Sequence, residues 1–221
     1  MLRRLAVAAT ALAGAAIGLL AASTPAGAQG NPATVLGVPC VPAQGGTSFC
    51  QGSLAARVPS WDGVPLDVDI YLPPDNGKPD PLIVSLHGFG VTKLGAFTGS
   101  NYPFEKAQQG YAVMAYSARG QGFSCGVLVS RTPGDCDEGW IHLADARFEA
   151  RDTQHLAGLL VDDGLVKPKR IGVTGDSYGG GQSLMLATLR DRTMLKSGKL
   201  VPFSSPEGVP MEVAAAAPRI G

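Results

Sequence analysis

The chain has 221 residues, of which 45% are hydrophobic and 16% are charged, and its 18 basic residues balance its 18 acidic ones. This composition excludes an intrinsically disordered chain and a nucleic-acid binder that works through bulk positive charge. The length suits one domain and suffices to bury a hydrophobic core.

The N-terminus has the organisation of a secretory signal peptide over residues 1–28. Arg3 and Arg4 precede an uncharged, Ala- and Leu-rich run over 5–22, and small residues then favour cleavage after Ala28. The alternative is an N-terminal membrane anchor, which the short, Gly- and Ala-rich run disfavours. We therefore expect a secreted protein with no stable membrane insertion after cleavage.

All four cysteines lie beyond this segment, at Cys40, Cys50, Cys125 and Cys136. An even number of cysteines in an exported protein is typical of disulfides. Three pairings are possible, and the sequence leaves them open; the local one joins Cys40 to Cys50 and Cys125 to Cys136. A zinc site is disfavoured because no Cys-x-x-Cys pair occurs. We predict no metal and no cofactor.

A leader and three strand-like segments open the mature chain. Residues 29–53 are rich in Gly, Pro and Gln and are expected to form an N-terminal leader loop before a domain over 54–221. A hairpin is predicted at the Trp-Asp-Gly of 61–63, followed by a half-buried strand of alternating residues over 66–72. Residues 82–86 are almost all apolar, as in a strand buried on both faces.

Strands and helices alternate through the rest of the chain. The predicted elements are a helix over 103–109, a strand over 111–116, a helix over about 143–160, a strand over 171–174, a helix over 182–190, a loop over 196–211 and a strand over 213–217. This alternation indicates an α/β fold, with a parallel sheet behind an antiparallel hairpin.

Ser177 is the candidate catalytic residue. It lies in a Gly-x-Ser-x-Gly motif over 175–179, directly after a predicted strand and before a helix, as in the nucleophile elbow of serine hydrolases. Glycines on both sides of the serine avoid Cβ clashes in this strained turn. A second match is centred on Ser124, but no strand leads into it and no helix follows it. We therefore predict Ser177 as the nucleophile.

An oxyanion hole is expected beside this serine. One donor is predicted to be the backbone N–H of Tyr178, and the other comes from the loop after the preceding buried strand. His-Gly-Phe-Gly occupies that loop at 87–90, so the Phe89 N–H is the predicted second donor. His87 itself is expected to order the loop rather than act as a base.

From Trp61 to Gly221 the sequence resembles the N-terminal part of an α/β-hydrolase. More narrowly, it resembles the Xaa-Pro dipeptidyl-peptidase-like group that includes the CocE/NonD hydrolases. Two motifs carry the resemblance: Gly-Asp-Ser-Tyr-Gly-Gly at 175–180 and Arg-Gly-Gln-Gly-Phe-Ser-Cys-Gly at 119–126. One departure is Ser117, where the family usually has Asp.

This resemblance implies a mostly parallel sheet flanked by helices, which would be truncated here after about the sixth strand. It also implies hydrolysis of a small-molecule ester or a peptide. Arg119 is expected to tie its Gly-rich loop to a carboxylate. No nucleic-acid partner is expected, and the substrate and the oligomeric state stay open.

The position of the histidines leaves two functions open. In this fold the acid and the histidine of the catalytic triad follow the serine, whereas His87, His142 and His155 all precede Ser177. One hypothesis is a secreted serine hydrolase that forms an acyl-enzyme on Ser177 and takes its Asp and His from beyond this sequence. The other is a catalytically inactive, hydrolase-like remnant or a binding protein.

Overall fold

A computed structural model describes residues 31–96 and 102–219. The predicted signal peptide lies outside the described residues. The strands are β1 (Thr34–Val35), β2 (Val38–Pro42), β3 (Ser48–Gln51), β4 (Val58–Pro59), β5 (Pro65–Leu66), β6 (Val68–Leu72), β7 (Asp80–Leu86), β8 (Ala112–Tyr116), β9 (Val166–Asp176), β10 (Arg192–Met194), β11 (Leu200–Pro202) and β12 (Val213–Arg219). The α-helices are α1 (Tyr102–Gln108), α2 (Glu149–Asp162) and α3 (Tyr178–Leu189).

The main sheet has the strand order β1-β2-β3-β6-β8-β7-β9-β12. Its pairs are antiparallel from β1 through to β8, and the pairs β8–β7, β7–β9 and β9–β12 are parallel. The predicted α/β-hydrolase class of fold is thus confirmed, with a sheet that is more mixed than the sequence predicted. The β4–β5 pair forms the predicted hairpin, and β10–β11 forms a second one.

The helices cover both faces of this sheet. Successive side chains of a strand point to opposite faces, and in β8 Met114 shares a core cluster with Leu156 of α2 and Leu186 of α3. The neighbouring Val113 packs instead in a cluster with Ala107 of α1. Helix α1 therefore lies on one face, and α2 and α3 lie on the other.

The predicted leader loop forms three strands. Residues within 34–51 build β1, β2 and β3, and β3 pairs with β6 through partners such as Cys50 and Ile70. Cys40 lies opposite Cys50 on β2 and the two form a disulfide. The Gly and Pro content suggested a loop, but backbone pairing with β6 and the disulfide stabilise strands here.

Strand β6 is buried on both faces rather than half-buried, since all five of its residues are buried. Asp69 is inaccessible because it pairs with the buried Lys93, whose Nζ lies 2.6 Å from one oxygen of Asp69 and 2.6 Å from one of Asp67. Tyr71 is covered by Phe49 of β3, with the two rings stacked 4.5 Å apart. The alternating residues Asp69 and Tyr71 had predicted a solvent-facing side of this strand. Lys93 and Phe49, which come from other segments, cover them instead.

Helix α2 begins later than predicted, at Glu149 instead of about 143. Leu143 and Ala144 both have a φ of 60°, which is incompatible with a right-handed helix. Part of the predicted loop over 196–211 forms β11. The other predicted helices and strands are confirmed within a few residues of their predicted ends.

Both disulfides have the local pairing, Cys40 with Cys50 and Cys125 with Cys136. Each closes a loop of similar length, with sequence separations of 10 and 11 residues.

Among the helices of the described residues, none combines the length and the hydropathy that crossing a bilayer requires.

Candidate active site

Ser177 occupies the sharp turn between β9, which ends at Asp176, and α3, which begins at Tyr178. Its φ of 50° and ψ of −111° are rarely adopted by residues with a side chain, and the residue is exposed. Its N–H donates to the Arg219 carbonyl of β12 at 2.8 Å. The turn thus presents a hydroxyl at the carboxyl ends of parallel strands, where α/β proteins bind their ligands.

The two glycines of the motif allow β7 to approach this turn closely. A Cβ on Gly179 would lie 2.2 Å from the carbonyl oxygen of Leu86, and a Cβ on Gly175 would lie 2.6 Å from the same atom. Both distances are far shorter than van der Waals contact. The glycines therefore serve tertiary packing as well as the local relief of strain that the sequence predicted.

The loop after β7 brings Phe89 beside the turn. A Cβ on Gly88 would lie 4.0 Å from the Ser177 Cβ, and the Phe89 and Tyr178 rings meet edge to face with centroids 5.7 Å apart. As the first residue of α3, Tyr178 has no acceptor for its N–H within the helix. Within the described ranges, the N–H groups of Phe89 and Tyr178 have no backbone acceptor.

The Tyr178 hydroxyl connects the turn to the start of α2. It donates to Glu149 Oε1 at 3.0 Å and accepts from the Ala144 N–H at 2.9 Å. The buried Glu149 carboxylate also accepts from the N–H groups of His142 at 2.7 Å and Asp145 at 3.0 Å. Burial raises the pKa of both Tyr178 and Glu149. No motif in the sequence points to Glu149, since a Glu in the first turn of a helix is usually exposed.

His87 orders the loop that carries Phe89, as predicted. Its Nε2 accepts from the Ala118 N–H at 2.8 Å, and its Nδ1 lies 2.7 Å from the Gly88 carbonyl. Because Nε2 is an acceptor, the ring proton lies on Nδ1 and is donated to Gly88. Burial lowers the pKa of His87, so its neutral form is favoured.

The other two histidines also have partners away from Ser177. The His142 ring is sandwiched between Trp140 and Phe148, with both centroid distances 3.6 Å. His155 lies in α2, where burial and the neighbouring Arg151 lower its pKa. In the part of the chain that is described, no histidine is hydrogen-bonded to Ser177.

Arg119 fastens the second motif to the rest of the fold. The side chain is fully buried, and its five N–H groups are all used: two donate to Asp152, two to Asp62 and one to the carbonyl of Glu138. The expectation that Arg119 ties its loop to a carboxylate is confirmed. Its partners join the β4–β5 hairpin, the 120–139 loop and α2.

The second Gly-x-Ser-x-Gly match is structural. Ser124 is completely buried. Its hydroxyl donates to the Ser117 carbonyl at 2.6 Å and accepts from the Asp67 N–H at 2.8 Å. Both hydrogen-bonding directions of the hydroxyl are therefore used within the fold.

The sequence pattern of the X-Pro dipeptidyl-peptidase (S15) family matches residues 62–197. A comparison with curated proteins found no match. Similar solved structures include an acetyl xylan esterase from Paenibacillus sp. R4, with 23% identity, a TM-score of 0.47, and coverage of 71% of this chain and 50% of that one.

A CocE/NonD family hydrolase from Staphylococcus aureus has 21% identity and a TM-score of 0.46, over 65% of this chain and 25% of that one. A puromycin-hydrolyzing peptidase from Mycobacterium tuberculosis has 20% identity and a TM-score of 0.47, over 61% of this chain and 20% of that one. The chain spans half or less of the length of these three proteins.

Proposed function

Because the chain belongs to the X-Pro dipeptidyl-peptidase (S15) family, we propose that it is a serine hydrolase that cleaves ester or amide bonds through an acyl-enzyme on Ser177. One observation supports the proposal: Ser177 is exposed in a strained strand-to-helix turn, directly before Tyr178 and close to the loop that carries Phe89. Acyl transfer uses a nucleophilic hydroxyl and two amide donors, and the N–H groups of Phe89 and Tyr178 have no backbone acceptor among the described residues.

In this mechanism the Ser177 Oγ attacks the carbonyl carbon of the substrate and gives its proton to a general base. The carbonyl oxygen becomes an oxyanion, which accepts hydrogen bonds from the N–H groups of Phe89 and Tyr178. Collapse of the tetrahedral intermediate breaks the ester or amide bond, and the departing alcohol or amine takes the proton back from the base. Water then releases the acyl group by the same route.

The proposal takes the general base and its acid from beyond residue 221. His87 supports this assignment, because both of its ring nitrogens already have partners, Nε2 with the Ala118 N–H and Nδ1 with the Gly88 carbonyl. His142 supports it too, since its ring is held between two aromatic side chains.

We also propose that residues 1–28 direct export of the protein. The two disulfides support an oxidising compartment, because such bonds form and persist outside the cytosol. The family description makes X-Pro peptides the first substrates to test, ahead of small esters.

A fluorophosphonate probe tests the proposal, since it reacts with activated serines and marks them covalently. We expect labelling of the protein, produced as its gene encodes it, with the adduct located on Ser177 by peptide mass spectrometry. Ser177→Ala should abolish the adduct, whereas Ser124→Ala should still be labelled at Ser177. A folded wild type that is not labelled would reject the proposal in favour of an inactive remnant or a binding protein.

A further inference from the structure

Three residues with side chains adopt a positive φ in and around the site: Ser177 at 50°, and Leu143 and Ala144 at 60° each. Such backbone conformations are costly, and they persist only where the surrounding structure holds them. Leu143 and Ala144 belong to the loop before α2, far from Ser177 in sequence. A continuous set of hydrogen bonds nevertheless connects this loop to the serine turn.

The connection runs through one side chain from each segment. The Tyr178 hydroxyl accepts from the N–H of the strained Ala144 and donates to Glu149. The Glu149 carboxylate also accepts the N–H groups of His142 and Asp145, on either side of the strained pair. The turn and the loop therefore hold each other in place.

Because the Glu149 carboxylate is buried, its hydrogen bond to the Tyr178 hydroxyl is sensitive to movement of the tyrosine ring. Glu149 is 0% exposed, and removing a carboxylate from water is costly unless hydrogen bonds compensate it. Here three donors compensate the charge, and one of them is the Tyr178 hydroxyl. Any tilt of the Tyr178 ring would leave a buried charge less well satisfied, so the ring has one favoured position.

We propose that Glu149 and the Tyr178 hydroxyl form a positioning pair, which fixes the Tyr178 backbone N–H in the direction of the oxyanion. The inference rests on the proposed function. The Tyr178 ring is held at its hydroxyl end by Glu149 and Ala144 and against its side by Phe89. A donor fixed in advance stabilises the developing charge without having to reorganise during the reaction.

The test uses Tyr178→Phe and Glu149→Gln, together with the double variant. Tyr178→Phe removes only the hydroxyl and keeps both the ring and the N–H. The matched control is Tyr116→Phe: this buried hydroxyl also bonds to the N-terminal part of α2, through Thr153 Oγ1 at 2.7 Å and the Glu149 carbonyl at 3.2 Å. It makes no hydrogen bond to the serine turn.

Labelling of Ser177 by the fluorophosphonate probe supplies the rate of the covalent step, kinact, and the affinity, KI. We expect each single variant at the pair to lower kinact about tenfold, with KI changed by less than about twofold. The double variant should be no slower than the slower single variant, because both changes break one connection. Tyr116→Phe should keep kinact within about twofold of the wild type.

Each other outcome would count against a different claim. A labelled wild type whose kinact survives Tyr178→Phe overturns the positioning pair and leaves the proposed function standing. Equal losses in Tyr178→Phe and Tyr116→Phe would mean a general structural effect and would also overturn the inference. An unlabelled wild type rejects the proposed function and the inference with it. If Glu149→Gln does not melt cooperatively, Tyr178→Phe alone decides.

Discussion

His87 shows how a histidine near a candidate nucleophile contributes in its neutral form. Both ring nitrogens are used, one as an acceptor from Ala118 and the other as a donor to Gly88. A protonated ring has no lone pair for the Ala118 N–H, so protonation would break that hydrogen bond. Burial lowers the pKa of the ring in agreement with this role.

We expect the stability difference between the wild type and His87→Gln to depend on pH. At pH 7.5 the variant should be less stable by about 1–2 kcal/mol, because Gln can replace the acceptor but not the donor to Gly88. Below the ordinary histidine pKa of 6.5, the unfolded wild type binds a proton that the folded protein does not. The wild type should therefore lose up to about 1.4 kcal/mol for each further pH unit, a loss that the variant does not share.

Urea unfolding of both proteins at pH 7.5 and 5.5 measures this change. The difference in unfolding free energy should narrow at the lower pH. A difference that is the same at both pH values would contradict a neutral, buried His87.

The glycines of the serine turn provide a second prediction for single residues. Gly179→Ala places a Cβ 2.2 Å from the Leu86 carbonyl, and we expect a loss of at least about 2 kcal/mol in the free energy of unfolding. Gly181→Ala is the matched control two residues along the same helix, where a Cβ would have no neighbour within 4 Å. It should be neutral or stabilising by up to about 1 kcal/mol. Denaturant unfolding of both variants checks this, and equal effects would contradict the close approach of β7.

At the scale of elements, Arg119 lies at the centre of a buried polar cluster between the β4–β5 hairpin and α2. Its guanidinium bridges Asp62 in the β4–β5 hairpin and Asp152 in α2, and both carboxylates are almost fully buried. Replacing one partner of a buried ion pair leaves the other charge uncompensated, which costs more than losing an exposed pair. Arg119 therefore links the hairpin to α2 together with the Ser60–Asp152 hydrogen bond and the stacking of Arg151 on Trp61.

Arg119→Met should lower the free energy of unfolding by about 3–5 kcal/mol, because Asp152 remains buried without its cation. Arg190→Met is the control, since Arg190 pairs with Glu212 at the surface with a side chain that is 66% exposed. The loss there should stay below about 1 kcal/mol. Chemical unfolding of the two variants compares them, and similar losses would argue against a structural role specific to Arg119.

The extent to which sequence predicted each element depended on where its stabilising partners lie. Continuous apolar runs predicted β7 and the centre of β9, because strands buried on both faces need no particular partner to be recognised. The prediction of a leader loop over 29–53 was wrong. Strands β1–β3 pair with one another, and β3 pairs with the distant β6, which a local sequence pattern does not reveal. The start of α2 was placed too early because Glu149 holds the preceding N–H groups in a non-helical arrangement.

The same distinction applies to the candidate site. Ser177, Tyr178 and Phe89 lie in short motifs that have recognisable local geometry, and the structure brings all three together. Glu149 reaches the site from another helix. Its side chain has no local sequence signal, because the groups that it binds are backbone N–H groups and a distant tyrosine.

Across the whole molecule, the two disulfides stabilise regions of different kinds. Cys40–Cys50 joins adjacent strands that are also paired through their backbones. Cys125–Cys136 closes a segment whose described residues form turns and one short 3-10 helix, Leu128–Ser130, but no β-strand pairing across the loop. That segment leads from the Arg119 motif to the loop that meets Tyr178.

Replacing either pair by serine should cost about 3 kcal/mol of unfolding free energy, because the closed loops have nearly the same length. The local effects should differ. Without Cys125–Cys136, amide hydrogen exchange should increase across residues 126–139, whereas residues 38–51 should stay protected without Cys40–Cys50. Hydrogen-exchange mass spectrometry measures both, and equal deprotection of the two regions would contradict the distinction.

The hydrogen bond from the Ser177 N–H to the Arg219 carbonyl makes the serine turn depend on residues more than 40 positions later in the chain. The turn is completed by the last described residue of β12, with an ion pair of 2.8 Å between Asp176 and Arg219 beside it. Chains leave the ribosome from their N-terminus onward, so a nascent chain has an incomplete serine turn until residue 219 has emerged. A chain shortened before Arg219 would therefore keep the Gly-x-Ser-x-Gly motif but lack the acceptor that holds the Ser177 backbone in its turn.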